Sequence, residues 1–219
     1  MSEDIKIKIS NLTKIFGPKP KSVLQYVDNG MSKDDLLKEY QHVLGLSNIN
    51  LELRNKNIEV IMGLSGSGKS TLIRHINRLI DPTTGSITIG GDDIIGMSKE
   101  KLRQFRQQKT AMVFQSFALL PHKTVMDNVC YGIFLQGVTG DEAYQRAKKW
   151  IDRVGLGGYE DRYPSQLSGG MQQRVGLARA LTCDTEILMM DEAFSALDPL
   201  IRSDMQDLLL ELQKELHKS

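Results

Sequence analysis

The chain is short of most of what marks a secreted, membrane-spanning or nucleic-acid-binding protein. Its two cysteines, Cys130 and Cys183, make no disulfide framework and show no paired metal-ligand spacing. A reduced cytosolic compartment suits them. No stretch approaches the roughly 20 consecutive apolar residues of a membrane helix, so any work at a membrane is expected from beside it. The opening residues, Met1-Ser2-Glu3-Asp4, are polar and acidic, unlike a signal peptide. Neither sign of charge dominates: the formal net charge is +1, which gives nucleic acid no bulk handle. The one basic run, Lys99 to Lys109, carries no interleaved aromatics for base stacking and reads as a solvated helix face over Leu102 and Phe105. What remains is 40% apolar and 25% charged, the balance of a soluble globular protein with one sizeable core, or a core plus a smaller satellite.

The most informative stretch runs from Ile58 to Ile80. An apolar run, Val60-Ile61-Met62, has the makings of a buried strand. It breaks into Gly63-Leu64-Ser65-Gly66-Ser67-Gly68-Lys69-Ser70-Thr71, after which Leu72, Ile73, Ile76, Leu79 and Ile80 recur at helical spacing. Strand, glycine-rich loop and helix in that order match the phosphate-binding pattern G-x-x-x-x-G-K-[ST]. Glycines let successive N–H groups turn inward toward phosphate oxygens. The helix that follows adds its positive end, equivalent to roughly half an elementary charge. Lys69 would reach the outer phosphates as a point charge, and the Ser70 hydroxyl, with Thr71 beside it, would ligate Mg²⁺. A glycine- and serine-rich surface loop could match by chance, but the flanking segments favour a nucleoside triphosphate site.

In chain order, Ile5-Lys6-Ile7-Lys8-Ile9 alternates as a half-exposed strand does. Asn11 to Phe16 then leads to the stiff break Gly17-Pro18-Lys19-Pro20. Phe16 is the candidate to stack on adenine, with core filling as the alternative. Residues 21 to 44 suggest a short helical insertion, after which Leu51 and Leu53 restart the alternation. Asp81 to Gly85 is a turn by composition, and Ser86 to Ile89 another strand. Thr110 to Phe114 reads as a buried strand ending at Gln115. Asp127 to Leu135 and the Ala143, Ala147, Ile151, Val154 series predict two helices between nucleotide-core strands, and hence an inserted helical subdomain.

Leu167-Ser168-Gly169-Gly170-Met171-Gln172-Gln173-Arg174 places two glycines before a helix rich in alanine, which makes a second phosphate cradle. One triphosphate needs one cradle, so the second is expected to serve a partner's nucleotide. Ile187 to Met190 is an apolar strand that delivers Asp191 and Glu192 at its carboxyl end, where open α/β sheets bind ligands. Asp191 would hold Mg²⁺ or its waters, and Glu192 would orient and deprotonate the attacking water. Asp198 can cap a helix with Pro199 in the first position. Ile201, Met205, Leu208, Leu212 and Leu216 would form its apolar stripe.

Together the nucleotide loop, Gln115, the Leu167-to-Arg174 signature, the Asp191-Glu192 pair and the Ser195-to-Asp198 loop resemble the ATPase subunit of an ABC transporter. The segments 114–122 and 190–200, with the insertion at 18–45, are similar to the glycine betaine and proline betaine importers of OpuA or ProU type. Met171 replaces the glutamine usual in the signature. The resemblance implies an α/β fold: a P-loop NTPase core with a mostly parallel sheet of RecA type, an N-terminal antiparallel β subdomain, and a helical subdomain at 116–166. It implies ATP and Mg²⁺ as cofactors, with Ser70, Gln115 and Asp191 toward the metal and Glu192, Gln115 and Lys69 in catalysis. It also implies a head-to-tail sandwich of two copies. Each ATP would lie between one chain's Gly63-to-Thr71 loop, with Phe16, and the other's Ser168, Gly169, Gly170, Met171 and Asp198.

A permease would receive the helical subdomain at the cytoplasmic face of the membrane, where the chain would be peripheral. A substrate-binding protein or domain would take part indirectly. Betaine itself would be recognised elsewhere, because a quaternary ammonium calls for an aromatic cage and the only tryptophan, Trp150, falls on an expected surface helix. One departure stands out. The family's histidine that contacts the γ-phosphate has no counterpart among His42, His75, His122 and His217, and the expectation is of a single ABC ATPase domain, 1–219, incomplete at its C-terminus. Such a chain is expected to bind ATP weakly and hydrolyse it hardly at all by itself. The other classes weighed are a soluble ABC-type ATPase and a non-catalytic nucleotide-sensing module; Glu192 argues against the second.

Overall fold

The computed structural model describes residues 5–194 and 197–216. The chain forms two compact units, one ending at Lys99 and one beginning at Glu100.

The first unit runs β1 (Ile5–Phe16), α1 (Leu24–Asp28), α2 (Lys33–Tyr40), β2 (Val43–Arg54), α3 (Lys69–Ile76), β3 (Thr84–Ile89) and β4 (Asp92–Asp93). Its strands form one antiparallel sheet in the order β2-β1-β3-β4. The alternation in β1 turns Ile7 and Ile9 inward and Lys8 out, and the strand then continues to Phe16. Leu12, Ile15, Ile87 and Ile89 complete the buried row, each contributing roughly 1.5–3 kcal/mol by removal from water. The segment read as a helical insertion does form helices. Val23, Val27 and Leu36 close over Ile15 and Leu44 to make a small core of their own. Ser32 caps α2, its Oγ accepting from Asp35 N at 3.1 Å.

The second unit takes up α4 (Lys99–Gln108), which begins at the boundary, then β5 (Thr110–Val113), α5 (Val125–Leu135) and α6 (Asp141–Arg153). It continues with α7 (Gly169–Thr182), β6 (Ile187–Met190) and α8 (Pro199–Leu216). Leu102 and Phe105 are buried beneath α4, as the sequence suggested. β5 and β6 pair in parallel from Thr110↔Ile187 to Val113↔Met190, and Lys109 and Glu186 join in an ion pair just before them. Val129 and Cys130 of α5, Ala147 and Ile151 of α6, and Val175 and Ala178 of α7 share one core with these strands. Met205 and Leu212 bring α8 into the same core, with Ile201 and Leu208 packed against it as the expected stripe had them; the Leu216 side chain lies outside the described residues.

Four expectations need correction. Val60, Ile61 and Met62 do not form a buried strand: residues 57–64 carry no regular structure, Val60 is 70% exposed and Met62 86%. A strand needs a neighbour to take its backbone hydrogen bonds. The turn at Asn55-Lys56 (Lys56 φ 59°) leads the chain off β2, the edge strand of its sheet, with no ladder to join. The loop helix is also shorter than the apolar spacing implied. α3 stops at Ile76, Arg78 takes φ 53°, and Leu79 is 44% exposed. Trp150 is buried, because it shares the apolar face of α6 with Ala143, Ala147, Ile151 and Val154. Lys149 Nζ and Arg153 Cζ lie 5.6 and 5.5 Å from its ring centroid. Finally, Gly169 and Gly170 do not precede their helix but open it, as the first residues of α7.

Candidate nucleotide site

In the first unit the phosphate-loop residues form a cradle that excludes side chains. Gly66 and Gly68 take φ of 77° and 96°, conformations a side chain disfavours. A Cβ on Gly63 would fall 2.7 Å from Ser67 Oγ, and one on Gly68 would fall 2.8 Å from Gly45 O. Lys69 heads α3 and folds back over the loop, its Nζ donating to Gly63 O at 2.9 Å and to Leu64 O at 3.0 Å. An ammonium held on carbonyls at the mouth of a glycine loop, above a helix N-terminus, fits a polyphosphate. Leu64 to Ser67 are exposed, whereas Gly68, Lys69, Ser70 and Thr71 are half-buried. One turn further on, His75 is fully buried. Its Nδ1 lies 2.6 Å from Thr71 O and its Nε2 has no hydrogen-bond partner. Burial pushes its pKa below the ordinary imidazole value.

Phe16 ends β1 and is 39% exposed, so it does not fill core. Lys14 Nζ stands 5.0 Å from the ring centroid and donates to Asp81 O at 2.8 Å. Such a cation over the ring face is attracted by its quadrupole.

In the second unit the strand ends bring Gln115, Asp191 and Glu192 together. Asp191 N donates to Val113 O at 3.0 Å, continuing the parallel ladder, and the Asp191 side chain is fully buried. Glu192 follows with φ 49°, a left-handed turn that carries its carboxylate to the surface. Gln115 Nε2 donates to Glu192 Oε2 at 2.8 Å. Within this unit Gln115 and Asp191 carry side-chain oxygens, the hard donor type that suits Mg²⁺.

Ser168 caps α7, its Oγ accepting from Met171 N at 3.3 Å, so the signature stands at a helix N-terminus. A Cβ on Gly170 would lie 3.3 Å from Leu197 Cδ2, which places the signature beside the chain leading to α8. Asp198 caps α8 as expected, with Oδ1 accepting from Leu200 N at 3.1 Å and Ile201 N at 3.0 Å. Ser195, Ala196 and His217 lie outside the described residues.

Two supporting residues carried no sequence signal. Arg179 Nη1 and Nη2 donate to Ala118 O at 2.7 Å and Phe117 O at 2.9 Å. These are the positive-φ residues that follow Gln115 (φ 46° and 63°). Asn128 is fully buried and serves Leu120 N and O, Lys123 O and Thr124 O. Both anchor the loop after β5 through backbone carbonyls, which have no residue identity to read.

Residues 46–195 match the family described as ABC transporter. The chain belongs to the ABC transporter family. Among its ABC relatives, a glycine betaine transport ATP-binding protein of Bacillus subtilis (strain 168), OpuAA, is 55% identical over 98% of this chain and 51% of its own length. The glycine betaine/proline betaine transport system ATP-binding protein ProV of Escherichia coli (strain K12) is 52% identical over 95% of this chain and 52% of its own. This ABC chain therefore spans about half the length of the curated relatives it matches. Among solved structures, a dimeric post-hydrolysis ATP-binding cassette bound to ADP and Pi superposes with a TM-score of 0.82. It is 30% identical, over 97% of this chain and 84% of that one. The mixed α/β architecture is thus that of an ABC ATPase cassette. No helix among the described residues is long and apolar enough to cross a membrane.

Proposed function

We propose that this chain is the ATP-binding and ATP-hydrolysing subunit of an importer for glycine betaine or a related osmoprotectant. It would act from the cytoplasmic face of the membrane against a permease. The observation that carries the chemistry is the Gln115–Glu192 hydrogen bond at the end of the parallel strand pair, in a chain that also bears the phosphate loop. The cargo is supported by the relatives, which are 55% and 52% identical and named for glycine betaine.

Lys69 and the N–H groups at the start of α3 hold the phosphates, and Phe16 stacks on the base. Ser70, Asp191 and Gln115 would hold Mg²⁺, which when bound neutralises charge developing on the phosphoryl oxygens. Gln115 turns its Nε2 to Glu192 and so offers its Oε1 for that purpose. Glu192, with its carboxylate fixed by Gln115, takes the proton of the attacking water. Ser168, Gly169, Gly170, Met171 and Asp198 serve the nucleotide of a second copy arranged head to tail. The helices within 116–166 pass the closure of that pair to the permease, and a substrate-binding protein or domain delivers the cargo. The segment 18–45, which carries α1 and α2, would be an insertion of the betaine-importer type.

Lys69→Ala tests the reading. Loss of the mobile cation should lower ATP affinity or turnover at least ~10²-fold, comparable to loss of one strong transition-state donor. Hydrolysis at the wild-type rate by a transporter carrying Lys69→Ala ends the assignment of the loop. A substrate-stimulated ATPase assay across a panel of betaines then identifies the cargo.

A further inference from the structure

A glycine outside every motif stands between the two parts of the nucleotide site in the first unit. In β2 the ladder to β1 slips: Lys14 pairs with Leu46 and Ile15 with Leu44, which leaves Gly45 as the extra residue of a bulge. Its φ is not in the left-handed region, so the backbone conformation does not call for glycine. The surrounding space does. A Cβ on Gly45 would lie 2.7 Å from Phe16 Cε2 and 3.3 Å from Phe16 Cδ2, so the edge of the ring rests on the bare Cα. The carbonyl of the same residue meets the phosphate loop, where a Cβ on Gly68 would fall 2.8 Å from Gly45 O. One residue without a side chain therefore separates the exposed aromatic ring from the last glycine of the loop. Lys14, tied to Asp81 O, steadies that ring.

We propose that Gly45 is a positioning residue of the nucleotide site. It sets where the Phe16 ring lies relative to the Gly63-to-Thr71 loop, and so fits the site to a nucleoside triphosphate over a bare polyphosphate. The proposal rests on the reading that Phe16 stacks on the base while the loop holds the phosphates. A larger residue at 45 pushes the ring away from its place beside Gly68. The base then loses its stacking surface, while the phosphate contacts of Lys69 and the loop amides are kept.

The test is calorimetric titration of the full chain with Mg-ATP, and displacement by Mg-tripolyphosphate as the probe without a base. The variants are Phe16→Ala, Gly45→Val and the double variant. Gly45→Val should weaken ATP about tenfold, the scale of one lost base–aromatic stack, and leave tripolyphosphate affinity unchanged. In the Phe16→Ala background it should cost nothing further. Equal weakening of both ligands by Gly45→Val overturns the proposal, because that is the mark of a disturbed loop. So does unchanged ATP affinity in Gly45→Val where Phe16→Ala weakens it. If Phe16→Ala itself leaves ATP affinity unchanged, the stacking reading has failed and takes the proposal with it. Gly45→Ala gives the same ratio with less crowding should the valine variant lose its fold by circular dichroism.

Discussion

Gln115 and Glu192, 77 residues apart in the chain, meet because each lies two positions beyond the last pair of one parallel ladder, Val113↔Met190. The ladder continues one step further through Asp191 N to Val113 O, and the left-handed turn at Glu192 then swings its carboxylate onto the Gln115 amide at 2.8 Å. An amide donor cannot take up the carboxylate's charge or compete for the proton of a water. Its part here is to orient the carboxylate.

Glu192→Gln should therefore keep ATP binding and stop hydrolysis, because an amide cannot accept the proton; a general base contributes typically ~10²–10⁴-fold. Gln115→Ala should slow hydrolysis by a smaller factor. The double variant should be no slower than Glu192→Gln alone, since the two residues act as a unit. Phosphate release from the assembled transporter, set beside nucleotide binding, measures all three. Turnover at the wild-type rate by Glu192→Gln would falsify the role of this acid.

The exposed start of α7 leads to a second expectation. In the Glu192→Gln background, Mg-ATP should drive the chain into a dimer. Adding Ser168→Arg should abolish that dimer by placing a long side chain where the partner's phosphates belong. Light scattering with and without nucleotide reads the outcome. A dimer that forms equally well without ATP, or survives the arginine, rules out the head-to-tail arrangement.

Arg179 holds two strained carbonyls next to Gln115 with a two-armed fork. Replacing it with leucine strands both oxygens, and hydrogen bonds to charged groups are worth about 1.5–3 kcal/mol each at most. We expect a lower urea midpoint and slower hydrolysis, with ATP affinity little changed. Arg179→Lys should recover only part of the loss, because an ammonium does not reproduce the planar fork. Full recovery by lysine would show that charge alone matters there.

His75 gives the first unit a pH dependence of known sign. Burial, the largest cause, lowers its folded pKa below 6.5; the Thr71 carbonyl and Asp81 pull it up, and Lys14 pulls it down further. The unfolded chain thus binds the proton first as pH falls, so stability rises with pH between the folded pKa and about 6.5. Acidification below about pH 6.5 should destabilise the unit until the folded imidazole also protonates. Thermal unfolding of His75→Asn across that range should show a flatter pH profile than the wild type. An equal slope would place the titrating group elsewhere.

Local patterns carried part of this protein by themselves. Residues 63–71 carry the phosphate-loop pattern, and its glycine spacing and lysine before two hydroxyls are read without knowing any neighbour. Asp198 before Pro199 and the Ile201, Met205, Leu208, Leu212 stripe likewise settle the start and buried side of α8. These are interactions within a few residues, and a sequence states them directly. Contacts across the chain decided the rest. Val60-Ile61-Met62 has the composition of a strand, yet a strand exists only where a second segment takes up its N–H and C=O groups, and at this place in its own unit none does. The face on which Trp150 lies follows from its spacing, but only packing shows that this face is the buried one. That Gln115 touches Glu192, that Arg179 grips the carbonyls of 117 and 118, and that Gly45 lies between Phe16 and Gly68 all depend on residues dozens of positions apart. No periodicity encodes such meetings, since they are fixed by strand register, a bulge and close packing once the chain has closed on itself.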